Sequence, residues 1–309
     1  MGTLATVDCR MKVYVCTEDD VGFAFEDGLR FDVFTPSSPQ EADCIIVPPS
    51  LNEIRDVHNQ KLTALRYASE YPDKHVFYDV SDVNDTIPEF RNAFFLRPFV
   101  HQNMLADHPR TRVIPWPARS MEELSPLPVD GFRWDVSFVG WNSGPLRSQS
   151  AASCKEVFGD RAEICLNGTF FPYHDLPTQE RLKQRFRDSI HYAPIVLAAP
   201  SVSGTTHPWL CCAPYRFYEA LSAARVPVFI GDVPFLPFDD RIDWPRHYIF
   251  VPKERLADTG HIIKEWMQEH DPVAVGQENL RVWKEWLHLD DWPRTRRIMV
   301  EEMLRSPAC

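Results

Sequence analysis

The stretch from Pro214 to Asp232 constrains the fold more than any other part of the chain. Phe217, Ala220, Leu221 and Ala224 recur at i, i+3, i+4 and i+7, which gives a helix one apolar face, while Arg216, Glu219 and Ala223 occupy another. Pro214 suits the first turn of such a helix. Directly afterwards, Val226 to Ile230 is a short, wholly apolar and β-branched run (VPVFI) closed by Gly231-Asp232. A strand of that kind has to be buried on both faces, the condition of a parallel strand covered by helices.

The same alternation runs along the whole chain. Strands are predicted over Met11 to Cys16, Phe31 to Phe34, Cys44 to Val47, His75 to Tyr78, Phe94 to Leu96 and Arg112 to Ile114, with a helix over Glu53 to Glu70. Apolar runs alternating with helical patterns indicate a parallel α/β sheet. Between Pro115 and Gly131 the chain is rich in Pro and polar residues, as an interdomain linker would be. The alternation then restarts, with strands over Trp134 to Val139, Glu163 to Leu166, Ile195 to Ala198, Val226 to Ile230 and Tyr248 to Val251. Helices are predicted from about Arg147, over Thr178 to Ile190 and over Glu254 to Glu269. The expected architecture is therefore α/β with two Rossmann-like domains, residues 1–131 including the linker and residues 132–309. A cleft between the carboxyl ends of their sheets is the expected ligand site. The last helical segment, Gln277 to Arg305 with a break at Pro293, is expected to cross back to the first domain.

Composition narrows the function. The formal charge of −11, with no long Lys/Arg run, argues against nucleic acid or an anionic membrane surface as the main partner. A local arginine pocket for one phosphate is compatible with it. No window approaches the roughly 20 apolar residues of a membrane span, and Met1 to Met11 lacks the apolar core of a signal peptide, so a soluble, cytoplasmic protein is expected. Eight cysteines are scattered without a CxxC pair or zinc-site spacing, as expected of reduced, structural thiols and no bound metal.

Two places can carry chemistry. Arg216, in a first helical turn with that turn's free N–H groups, can face an anion, and Glu219, one turn on, can accept hydrogen bonds from a ribose. The alternative is an i,i+3 ion pair on a solvated helix face. The second place is the turn that follows Asp135 to Val139, with Gly140, Gly144 and then Arg147. It reads as a backbone-lined turn with a cation aimed at a phosphate, or as an ordinary βα turn with a solvent-facing Arg.

Arg216, Glu219-Ala220-Leu221, Val226-Pro227-Val228, Asp232, Pro237-Phe238 and Asp243-Trp244 appear in the order and spacing of the exostosin-type glycosyltransferases, family 47 of that enzyme class, which this stretch resembles. The turn from Asp135 to Arg147 and the strings ADCIIVP and HVFYDVSD resemble the family more loosely. The resemblance implies a GT-B fold and inverting transfer of a sugar from a nucleotide diphosphate donor, usually a UDP-sugar, to a glycan or glycoconjugate acceptor. In that picture the donor is a substrate and no further cofactor is needed. Glu219 would bind the ribose, and Arg216 and Arg147 beside Gly140 would hold the diphosphate and stabilise its leaving charge without a metal. Two departures stand out. Ser201 to Ala213 is longer than the usual spacer, which leaves the donor contacts of its His207 open, and Arg225 replaces the small or Cys residue often found before V-P-V.

Inverting transfer also needs a base within hydrogen-bond reach of the acceptor hydroxyl. Asp82 and Asp79, which follow the strand HVFY, are the candidates in the first domain, with Asp19 and Asp20 as rivals; a carboxylate at a strand end can instead cap a helix. Two other functions compete. One is a catalytically silent nucleotide- or glycan-binding module of the same fold. The other is a different α/β enzyme, such as an epimerase or a phosphatase, against which the missing dinucleotide fingerprint counts.

Overall fold

The computed structural model describes residues 12–17, 35–47, 54–79, 92–97, 111–113, 121, 128, 131–168, 175–202 and 204–287. They form two compact units, one holding the described residues up to 113 and the other those from 121 onward.

The first unit is built on a six-stranded sheet: β1 (Lys12–Val15), β2 (Thr35–Pro36), β3 (Cys44–Val47), β4 (His75–Asp79), β5 (Ala93–Arg97) and β6 (Thr111–Val113), in the order β2-β1-β3-β4-β5-β6. Every pairing is parallel. All four residues of β3 are buried, as its unbroken apolar sequence requires. Helix α1 (Ile54–Glu70) lays Ala64, Tyr67 and Ala68 over Ile45, Val47 and Val76. Elsewhere in β3, burial pushes the Cys44 thiol up to about 12, a small hydrophobe rather than a nucleophile.

The second unit carries a five-stranded parallel sheet: β7 (Val136–Trp141), β8 (Ala162–Asn167), β9 (Ile195–Ala198), β10 (Val226–Gly231) and β11 (Ile249–Pro252). Its helices are α2 (Pro145–Phe158), α3 (Leu176–His191), α4 (Tyr215–Ser222), α5 (Thr259–Glu269) and α6 (Pro272–Val282). The order β11-β10-β9-β7-β8 turns back between β7 and β9. That reversal is the switch point of a doubly wound sheet, where ligands gather outside the carboxyl ends of the strands. The expected α/β class with parallel sheets is thus borne out.

Local departures have physical causes. Glu254 to Glu269 is a short 3-10 run, Lys253–Asp258, followed by α5. The next helix starts at Pro272, ahead of its expected start, because Asp271 caps it by accepting the Val273 N–H at 2.9 Å and Pro272 takes the first turn. The expected strand over Phe31 to Phe34, the break at Pro293 and the crossing back of the C-terminal helix lie outside the described residues.

Strand β10 is buried at all six positions, and its flanks are locked. At its end, a Cβ on Gly231 would sit 2.1 Å from the Leu210 carbonyl, so the close approach of the Pro208–Cys211 turn requires glycine. Asp232 then pairs with Lys253 at 2.8 Å, joining the ends of β10 and β11. At its start, the fully buried Arg225 donates from Nε to Ile190 O at 2.8 Å, from Nη2 to His191 O at 2.8 Å and from Nη1 to Ala224 O at 3.2 Å. A guanidinium therefore closes the C-terminal end of α3, where free carbonyls and the helix dipole favour a cation.

The same corner is fastened from α6. Asn279 donates from Nδ2 to the carbonyls of Arg225 and His247, both at 2.9 Å, which leaves its Oδ1 to accept from His247 Nδ1 at 2.9 Å. Burial lowers the His247 pKa from its ordinary value, and the Asn279 hydrogen bond opposes the shift. Between the folded pKa and about 6.5, the unfolded chain then binds more protons than the folded one. This contribution to stability is complete above about pH 6.5 and is lost as the pH falls toward the folded pKa. The urea midpoint is expected to drop between about pH 7.5 and about pH 5.5, and to drop less in His247→Asn. Equal drops in the two proteins would remove His247 from the explanation.

Candidate functional site

Strands β7 and β9 are hydrogen-bonded for only two residue pairs, Val136↔Ile195 and Ser137↔Val196, whereas β7 follows β8 for six. Beyond Ser137 the two central strands part, and their carbonyls have no ladder partner across the gap. Carbonyls of alternate residues point the same way across a strand, so Val139 and Trp141 present theirs together. Two arginines answer them. Arg147, in the first turn of α2, donates from Nη1 to Trp141 O at 2.8 Å and from Nε and Nη2 to Ala199 O, just past β9, at 3.3 and 3.1 Å. Arg216, in the first turn of α4, donates from Nη2 to Val139 O at 3.0 Å.

Both guanidiniums lie against one ring. The Phe138 centroid is 5.6 Å from Arg147 Cζ and 5.2 Å from Arg216 Cζ, and Phe186 of α3 takes Arg216 at 4.2 Å. Gly140 makes this approach possible. A Cβ there would meet Phe138 Cζ at 3.2 Å and Arg216 Nη2 at 3.6 Å. Glu219 Oε2 lies 3.4 Å from Arg216 Nε, with the two side chains only 14% and 17% exposed. The i,i+3 ion pair therefore exists, but not on a solvated helix face.

The electrostatics are unbalanced. Burial lowers the Arg216 pKa against the opposing pull of Glu219. Burial, and then repulsion from Arg216, bring Arg147 down to about 10. Arg216 has the Glu219 carboxylate beside it, whereas Arg147 is held by the carbonyls of Trp141 and Ala199. Arg216 Nε and Nη1 are buried without a hydrogen-bond partner, and so is Ser143 Oγ in the turn before α2. A buried donor left in that state costs about 1–3 kcal/mol, more when it is charged. The N-cap of α2 is Gly144, which offers no side chain to the helix's free N–H groups. An anion at this end of the sheet would offset the excess positive charge of the two arginines.

The fold thus brings Gly140, Arg147, Arg216 and Glu219 to one place. His207 is half-buried in the connection from β9 to α4, where its carbonyl accepts the Leu210 N–H at 3.2 Å. Asp79 closes β4 in the other unit, with its side chain outside the described residues, and Asp82 lies outside them altogether. Trp244 is packing: 4% exposed, it donates from Nε1 to Pro237 O at 2.8 Å and lies 5.9 Å from the Phe217 ring. Asp243, before it, is exposed at the start of a short 3-10 turn.

Sequence reading missed Phe138, Phe186 and the strand carbonyls that the arginines satisfy. The two rings carry no local signal, because their contacts join elements far apart in the chain. Among the described residues no helix is long and apolar enough to cross a membrane.

No protein-family model matches the chain. Among solved structures, it is similar to HepE of Anabaena, crystallised in complex with UDP, at a TM-score of 0.48 and 10% identity over 86% of this chain and 80% of that one. It is also similar to a glycosyltransferase from Rickettsia africae, at a TM-score of 0.47 and 9% identity over 96% and 98% of the two chains. A third similar structure is TarM, at a TM-score of 0.41 and 10% identity over 80% of this chain and 59% of that one.

Proposed function

We propose that the protein is an inverting glycosyltransferase of the GT-B type, which moves a sugar from a nucleoside diphosphate donor, a UDP-sugar, to a hydroxyl of a glycan or glycoconjugate. One observation carries the reading: two partly buried guanidiniums meet at the switch point of the second sheet, where among the described residues Glu219 is the carboxylate paired with Arg216 and Arg216 Nη1 has no hydrogen-bond partner. The ordered resemblance from Arg216 to Trp244 agrees with it. A diphosphate supplies the missing negative charge, and a ribose beside it supplies hydroxyls for Glu219.

The two arginines then have different tasks. Arg147 spends three hydrogen bonds on strand carbonyls, so it is a fixed positive field under the leaving group. Arg216 has donors to spare and clamps the phosphate directly. Because both are held before the donor arrives, they stabilise the charge that grows as the glycosidic bond breaks, with no metal required for that role. His207 adds a donor contact from its loop. The acceptor hydroxyl gives its proton to Asp82, with Asp79 as the second candidate, while its oxygen attacks the anomeric carbon from the face opposite the departing diphosphate.

The test is ligand-dependent stability combined with turnover. UDP at about 100 times its dissociation constant is expected to stabilise the fold by roughly 2.7 kcal/mol, and Glu219→Ala is expected to abolish that protection. Asp82→Asn should keep the protection and lose sugar transfer. Unchanged UDP protection in Glu219→Ala would remove the central role given to this carboxylate. A wild-type protein that binds UDP but transfers no sugar from any sugar nucleotide would instead be a silent binding module.

A further inference from the structure

Polar groups hold Arg216 less firmly than its neighbour. Arg147 gives three hydrogen bonds to the carbonyls of Trp141 and Ala199, whereas among the described residues Arg216 gives one, from Nη2 to Val139 O at 3.0 Å. Its ion pair with Glu219, at 3.4 Å from Nε, is not aligned as a hydrogen bond. A single hydrogen bond leaves a long side chain able to turn about it. The remaining restraint is aromatic. Phe186 of α3 lies 4.2 Å from Arg216 Cζ, nearer than the shared ring of Phe138 at 5.2 Å. A cation this close to a ring face is attracted by the ring quadrupole, and more strongly where water is excluded. The Arg216 side chain is only 17% exposed.

Phe186 is itself fixed. It packs against the buried cluster of Ile190, Val196, Ala220 and Ala223. The helix that carries it is held at both ends. Asp175 caps its start by accepting the Thr178 N–H at 3.0 Å. Arg225 donates to Ile190 O, one turn after Phe186, and to His191 O, both at 2.8 Å. The ring is thus presented by a rigid element, as a group that orients another has to be. We propose that Phe186 is the positioning residue of Arg216, its ring holding the guanidinium in the orientation that receives the diphosphate, a reading that rests on the nucleotide site proposed above. In this role the ring touches no substrate. It keeps the binding-competent orientation of the cation populated, and the affinity for an anion scales with that population.

The experiment is a double-mutant cycle, read by calorimetric titration of the full chain with UDP and with inorganic pyrophosphate, which carries the charge and lacks the nucleoside. Phe186→Leu keeps an apolar side chain and removes the π-face. It is expected to weaken both ligands by the same factor, roughly 5- to 30-fold, while Phe186→Tyr keeps wild-type affinity for both. In an Arg216→Met background the Leu substitution is expected to cost nothing further, because the group it positions is gone. Phe186→Met, also apolar and without a ring, repeats the measurement should the Leu variant not fold. Three results overturn the assignment: unchanged affinity in Phe186→Leu, an undiminished loss in the Arg216→Met background, or a Tyr variant as weak as the Leu variant. Failure of the underlying reading looks different, because the wild-type protein then binds neither ligand.

Discussion

Replacing Arg225 by Met is expected to lower the unfolding free energy by roughly 3–5 kcal/mol. The guanidinium is fully buried and donates to three carbonyls, those of Ile190, His191 and Ala224. Met keeps most of the apolar stem and removes every donor, so three buried acceptors lose their partner at about 1–3 kcal/mol each. One term opposes this. Burial disfavours the charged form strongly enough to bring the Arg225 pKa down to about 10, so removing the charge returns part of its desolvation cost. The hydrogen bonds prevail because they are charge-assisted and end a helix whose dipole already favours a cation. Lys restores a charge but not the fork, and should recover less than half of the loss. Urea titration of the Met and Lys variants checks the order; a Met variant with the wild-type midpoint would end the capping argument.

Arg216→Met should behave in the opposite way. Its affinity for UDP and for pyrophosphate is expected to fall by roughly 100-fold, about 2.7 kcal/mol, while stability changes by less than about 2 kcal/mol. The variant loses one strand-carbonyl bond and an ion pair that is not aligned as a hydrogen bond. It also relieves two costs present without ligand, the burial of a cation with unpartnered donors and its repulsion of Arg147. A residue held mainly for the fold would show the reverse pattern, with a large loss of stability and ligand affinity retained in the folded fraction. Calorimetric titration beside thermal unfolding separates the two. Retained pyrophosphate affinity would count against the anion reading itself.

Much of the fold was legible because burial on both faces leaves a coarse trace. Runs such as CIIV and VPVFI have few other uses, and Phe217, Ala220 and Leu221 are the buried face of their helix, whereas Ala224, counted with them, lies past the helix end and Ala223, placed on the opposite face, is buried. Two charged residues show where that legibility ends. The Arg216–Glu219 spacing fits a solvated pair as well as a buried one, and only the packing of Phe138 and Phe186 around the guanidinium decides between them. Arg225 looked like a departure from a small residue, yet it caps a helix that ends thirty-odd residues earlier, a partner that no local pattern names. The motif that carried the resemblance also divides. Arg216 and Glu219 lie at the cation pair, whereas Pro237 and Trp244 are joined to each other by a buried hydrogen bond that holds the chain after β10.

The parting of β7 from β9 assigns stiffness and compliance to opposite ends of the same two strands. At Val136 and Ser137 they are joined by backbone bonds, which break only when the sheet itself opens. At Trp141 and Ala199 they are joined through the Arg147 side chain, which a substitution removes while every ladder bond stays in place. The edge at which the donor is proposed to bind is therefore fastened by a side chain rather than by the ladder, so that one residue sets both the spacing of the two strands there and the charge between them.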